Sequence, residues 1–401
     1  MQPSDDLGDR PDGAQPPQSL LPVGDGPGPS SKSASLFDPD VIVELHLDVA
    51  DSAWQALMAG RATGQKDFVP CAFEFDGEVA ASAAVRLKSS PADWEGNKPQ
   101  FVISFNEDNN DGRFRGLRRL TLEANPGDET LIRNNLSLRL MARAGVATPR
   151  SNHARLILNG EYYGLYEQIE AVDKEFLEGR FADSEGNLYK EGVELKTNED
   201  IGNTSDLAAL DDVLYAEELA EGEGLSAAYR ASLAALLDMD RVILEAAAES
   251  VLPSGDNFWS GGHNYYLYHP PGALWTIIPW DLDDVFGPVI APTDADVLSF
   301  NGDPTIGNEP HPAMVAITRD PVWRASFLAQ VGRLEATIYR TELPTLVTSL
   351  CERVRPAVEA DPNKAFAMED FDADCVAIRK AVEARSKSIR AQLSALGVGS
   401  L

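Results

Sequence analysis

The chain is short of cysteine, histidine, basic residues and long apolar runs, and each shortage excludes a class of protein. Its three cysteines, Cys71, Cys351 and Cys375, form no CxxC pair and match no zinc-ligand spacing in 401 residues. At that length a disulfide-stapled mini-domain is also excluded. The five histidines lack HExxH spacing, and His263 reads as a neighbour of Asn264. No apolar run approaches the roughly 18 residues that a membrane-spanning helix needs. Lys and Arg number 34 against 64 Asp and Glu, a formal net charge of −30. A field of that sign repels phosphate backbones and argues against nucleic-acid binding. There is no GxSxG elbow and no cysteine beside a local base. The acidic run at 107–112 (EDNNDG) begins with Glu and has Arg where a Ca²⁺ loop closes, so it reads as a polar turn.

What is present is a globular composition, 43% hydrophobic and 8% aromatic. Residues 1–35 alternate Pro, Gly, Ser and Asp with few large apolar side chains, too little to offset backbone ordering. They read as a disordered leader, a tether in preference to a ragged end. No basic region and apolar core follow Met1. The expectation is either a cytoplasmic protein or an exported, envelope-associated form whose signal has been removed.

A folded domain is expected over 36–395. Alternation marks strands at 41–47, 69–75, 84–87, 99–105 and 117–122, with a Ser/Pro/Gly-rich loop at 89–97. Helical spacing appears over 128–144 and stops at Gly145. The turn Asn159-Gly160 between 154–158 and 162–169 is the strongest hairpin signal. Beyond 173 the texture becomes helical at 207–219 and 225–250. Short strands follow at 265–268 and 274–278, then helices from 321 onward with breaks near Pro356 and at Asp361-Pro362. The plan is α+β, with a strand-rich part (36–173) carrying one helix and a mainly helical part (174–395).

Chemistry concentrates in two places. In PWDLDDVFG (279–287), Asp281, Asp283 and Asp284 follow a buried strand, with Phe286-Gly287 as a flexible exit. Carboxylates on such a loop suit a hard cation such as Mg²⁺, and equally suit a turn that accepts backbone N–H groups. In GDNFWSGGHNYYLY (255–268), Asp256 precedes Asn264 by eight positions. The order Asp256, Asn264, Asp281 is that of a protein kinase: a catalytic Asp, a metal-binding Asn, then a second metal-binding Asp.

These stretches, with VRLKSS and NKPQFVISF (85–105), LIRNNLSLRLMARAGVATPR (131–150), LILNGEYYGLYEQIEAVDKEFL (156–177) and GNLYK (186–190), make the chain resemble the CotH-like atypical protein kinases. The resemblance implies a bilobal kinase-like fold, ATP with Mg²⁺ or Mn²⁺, and phosphate transfer to Ser or Thr of a protein. It implies Asp256 as the catalytic Asp that orients and deprotonates the acceptor hydroxyl, Asn264 and Asp281 as metal ligands, and Asp283 as their outer partner. Lys88 or Lys98 would reach the phosphates, and Glu167 and Glu170 would pair with a lysine or meet the adenine-ribose end. Structural ion pairing is the alternative for those four. Ser89 stands where the family usually has Gly, and PSGD replaces the usual Asn-Trp before Asp256; neither departure removes a carboxylate. A monomer acting on a Lys/Arg-rich acceptor is expected. The rival functions are a pseudokinase scaffold that binds nucleotide and metal, and a metal-dependent phosphohydrolase. Cys351 and Cys375 are expected either to bridge in an oxidising compartment or to remain buried thiols.

Overall fold

The computed structural model describes residues 28–88, 98–217, 224–259, 262–287, 292–299 and 311–398. The loop that contains Ser89 and most of the leader lie outside these residues. A 3₁₀ helix, Ser31–Phe37, opens the described chain and buries Leu36 and Phe37. The boundary expected at 35/36 therefore falls inside this element.

Seven strands close into a barrel: β1 (Val43–Asp48), β2 (Val69–Phe75), β3 (Glu78–Leu87), β4 (Phe101–Ser104), β5 (Arg119–Glu123), β6 (Ser151–Leu158) and β7 (Glu161–Glu170). The order round the barrel is β1-β2-β3-β4-β5-β7-β6, and the parallel pairing of β1 with β6 closes it. The expected strands are present, but the strand-rich part is a closed barrel and not the open sheet of a classic kinase lobe. The correction has a physical reason: closure leaves no strand edge unpaired. Asn159 and Gly160, at φ 50° and 84°, make the predicted two-residue turn between β6 and β7. Asp76 and Gly77 do the same between β2 and β3. Leu45, Phe73, Val85, Phe101, Ile103 and Leu120 are among the fully buried residues that fill the barrel.

A helix absent from the sequence expectation, α1 (Asp51–Thr63), packs Ala53, Trp54 and Met58 on that core. Its i, i+4 apolar spacing was available but short. The helix α2 (Arg133–Ala144) ends at Gly145 in the left-handed region, as expected. It belongs to a second core with α3 (Lys174–Arg180), α4 (Ser205–Leu214), α5 (Ala227–Leu236) and α6 (Met239–Val251). This core also holds a four-stranded sheet in the order β11-β10-β8-β9, formed by β8 (Asn187–Lys190), β9 (Glu194–Leu195), β10 (Tyr265–His269) and β11 (Thr276–Pro279). The helices α7 (Pro312–Arg319), α8 (Pro321–Leu334), α9 (Leu343–Ala360) and α10 (Met368–Ala395) complete it. The helix α9 runs through Pro356, where a break was expected, and ends at Asp361. Cys351 and Cys375 are joined as a disulfide, tying α9 to α10. Among the described residues no helix is long and apolar enough to cross a membrane.

Candidate active site

The second sheet and the barrel meet around the loop that follows β11. Helix α6 delivers the chain to Ser254, which bridges Val285, and Gly255 N–H donates to Asp284 O at 3.2 Å. The segment carrying Asp256 is therefore stitched to the segment carrying Asp281. Asn264, at the start of β10, donates its Nδ2 to Asp256 O at 3.0 Å and to Asp256 Oδ2 at 3.1 Å. Its own carbonyl accepts from Trp280 N–H at 3.0 Å. Asn264 and Asp281 both take left-handed backbone conformations, φ 58° and 53°, which Asn and Asp tolerate better than most side chains. Phe286, read from sequence as part of a flexible exit, is instead buried against Tyr339.

Helix α2 holds this loop from below. Asn134 Oδ1 accepts from Leu282 N–H at 3.0 Å. Arg133 Nε donates to Val285 O at 3.2 Å, and its guanidinium forks onto Asp374 at 2.7 Å. Asp128 also accepts from it.

Lys88 leaves the end of β3 and forms a close ion pair with Glu123, the last residue of β5. Its Nζ also lies 3.6 Å from Asp281 Oδ2. Burial disfavours the ammonium, but Asp281, Glu123 and Asp283 outweigh that and raise its pKa. Burial pushes Glu123 up to about 7, against the pull of Lys88 and with the push of Asp281. Asp256 is raised by burial and by the charge of Asp281, while His263 and the Asn264 amide oppose. Asp283 is raised well above the carboxylate range by burial and by Asp281, Asp284 and Glu123.

Of the residues singled out in the sequence, Lys88, Asp256, Asn264, Asp281 and Asp283 thus share one electrostatic cluster. The other three have different partners. Lys98 pairs with Asp361 at 2.6 Å. Glu167 accepts from Asn125 at 2.9 Å, Asn134 at 3.2 Å and Ser151 at 2.5 Å, and burial lifts it to about 7. Glu170 pairs with Arg150 at 2.7 Å and Arg180 at 2.9 Å. Glu170 is held by two arginines, and Glu167 supports Asn134 and, through it, the Asp281 loop. The partner of Lys88 that sequence reasoning missed is Glu123, a lone acid at a strand end.

The donor set fits a hard cation that also takes oxygens from a phosphate. Asn264 spends its amide nitrogen on Asp256, which leaves its oxygen for another partner, and a third of the Asp281 side chain is exposed. Among the described residues no three His, Cys, Asp or Glu side chains form a self-contained metal cage. Mg²⁺ typically takes one or two protein carboxylates and completes its shell with substrate and water.

Comparison with known proteins places this arrangement in context. The family model described as CotH kinase protein matches residues 94–389. The chain is also similar to the inner spore coat protein H of Bacillus subtilis (strain 168). The two are 26% identical over 324 residues, covering 75% of this chain and 84% of that protein.

Proposed function

The chain belongs to the CotH kinase protein family, and on that footing we propose that it transfers the γ-phosphoryl group of ATP to a serine or threonine hydroxyl of a protein. The carrying observation is the cluster itself: Asp256 is bonded to Asn264, while Asp281 stands 3.6 Å from a lysine already paired with Glu123. The α+β fold sets the barrel, which carries Lys88, beside the helical core, which carries the Asp281 loop.

In this reading Asp256 orients the acceptor hydroxyl and takes its proton as the oxygen bonds to the γ-phosphorus. The bond from that phosphorus to the β-phosphate oxygen breaks, and ADP leaves. Its raised pKa suits a base that must receive a proton. Lys88 holds phosphate oxygens, and Glu123 fixes the direction of its ammonium. Asn264 and Asp281 would hold Mg²⁺ or Mn²⁺, with Asp283 behind them; when bound, the cation offsets charge growing on the departing phosphate. The −30 balance favours a basic acceptor segment, and the Cys351–Cys375 bridge favours oxidising surroundings.

The test is incubation with labelled ATP, Mg²⁺ or Mn²⁺, and an acceptor protein. Label on protein supports the reading, free phosphate alone points to hydrolysis, and neither leaves a binding scaffold. Asp256→Asn should lower transfer by roughly 10²–10⁴-fold while Mg²⁺-dependent thermal stabilisation by nucleotide persists. Asp281→Asn should lose both. Equal phosphorylation of acidic and basic serine peptides at low salt would remove the basic-acceptor part.

A further inference from the structure

A cavity of about 110 Å³ opens beside the Asp256 loop and takes no part in the scheme above. Its floor is apolar and buried: Leu210 and Leu214 of α4, Leu237, Phe258 and Ile277. Its mouth is solvent-facing, with Asp211 and Tyr215 exposed and Glu191 half-buried.

Two links tie this cavity to the acceptor side. Phe258 lies two residues beyond Asp256. Glu191, which lines the mouth, is close enough for its charge to reach Asp256, and its N–H donates to Tyr265 O at 3.1 Å, next to Asn264.

We propose that this cavity receives an aliphatic side chain of the acceptor polypeptide, a few residues from the hydroxyl that is phosphorylated. The inference rests on the phosphotransfer reading and adds a specificity pocket to it. The acidic mouth suits the basic segment that the net charge favours, while the leucines, Phe258 and Ile277 inside suit an uncharged side chain, with His311 and Tyr265 the polar groups beside them. Size narrows the occupant. A dry cavity of about 150 Å³ admits benzene; this one is smaller, which suits leucine, isoleucine or methionine and excludes an indole.

The test uses the full chain and labelled basic serine peptides in which a single leucine is walked through the positions flanking the serine. Binding is read by fluorescence anisotropy with Mg²⁺ and a non-hydrolysable ATP analogue, and transfer is read separately with ATP. One register of leucine should tighten Kd by roughly tenfold over alanine at the same position, and tryptophan there should lose the gain. Leu207→Trp, at the half-buried edge of the cavity, should erase the preference, so that leucine and alanine peptides bind alike. The wild-type peptide walk stands even if that variant fails to fold. No preferred register, or equal preference for tryptophan, overturns the pocket. A preferred register in binding with no label on serine keeps the pocket and sinks the phosphotransfer reading. Label on serine with equal KM for all registers does the reverse.

Discussion

Lys88 and Lys98 flank residues 89–97, the first half-buried and the second buried, and each pairs with a carboxylate, yet their surroundings differ. Lys98 donates to Asp361 at 2.6 Å and to Leu165 O at 2.5 Å, and lies 4.6 Å from the centre of the Tyr166 ring. Asp361 in turn accepts from Leu165 N–H at 2.9 Å. The packing is tight enough to require glycine at 164, where a Cβ would stand 2.7 Å from Asp361 Oδ1. With one acid facing it, Lys98 has its pKa lowered, because burial outweighs Asp361. Lys88 faces Glu123, Asp281 and Asp283, and the surplus of acid holds its charge. The lesson is that a lysine–carboxylate pair enclosed by backbone and ring is a brace. One with acids to spare, beside a carboxylate loop, is equipped for an anion and a cation together.

The largest expected effect is on the brace. Lys98→Met leaves Asp361 buried without its cation and should cost about 3–5 kcal/mol of stability, read by denaturant unfolding; the folded fraction should still transfer phosphate. Lys88→Met should do the opposite. Transfer should fall by about 10²–10³-fold, the scale seen when one stabilising donor is removed, with a smaller loss of stability than in Lys98→Met, because Glu123, pushed up to about 7 by burial, can take a proton in place of its partner. If both variants lose stability and keep activity, the two lysines are equivalent braces.

Next in size is the tie between α9 and α10. It secures the helix that presents Asp361 and stands one residue from Asp374, the anchor of Arg133. Reduction, or Cys351→Ser with Cys375→Ser, should cost about 2–4 kcal/mol. The melting temperature should drop before transfer by the remaining folded protein changes. A variant with unchanged unfolding would show that this bridge braces nothing.

The smallest effect is a pH dependence. Burial raises Glu167 to about 7 from an ordinary value near 4.5, and the hydrogen bonds from Ser151, Asn125 and Asn134 only partly offset it. The folded state therefore favours the protonated form. Its stabilising contribution is complete below about pH 4.5 and is lost as pH rises through about 7. Glu167→Gln should flatten that part of the thermal-stability profile relative to the parent. An unchanged difference between pH 4.5 and 7.5 would show that Glu167 titrates normally.

The acids and amide of the site were readable because they lie on short, polar, locally unusual stretches: Asp256 and Asn264 in one loop, Asp281 and Asp283 in the next. The hairpin at Asn159-Gly160 and the stop at Gly145 were readable for a related reason, since a left-handed backbone at those points demands particular residue types. Glu123 was not readable. It ends an ordinary strand, RLTLE, and nothing near it marks it as the partner of Lys88.

That partnership depends on strand pairing. Leu87 and Leu122 both face Phe101 of β4, Lys88 N–H donates to Gln100 O at 2.9 Å, and Gln100 Oε1 accepts from Ala124 N–H at 3.0 Å. The register across β3, β4 and β5 puts the lysine and the glutamate at the same end of the barrel. The same holds for barrel closure, which rests on the parallel match of Val43–Leu47 with Ala154–Leu158, and for the separate partners of Lys98, Glu167 and Glu170. Local chemistry along the chain was enough to name the two loops that the fold brings together, because turns and polar clusters are short-range properties. Which buried lysine meets which acid was settled by packing, because a charge in the interior takes its partner from whatever strand or helix the fold sets beside it.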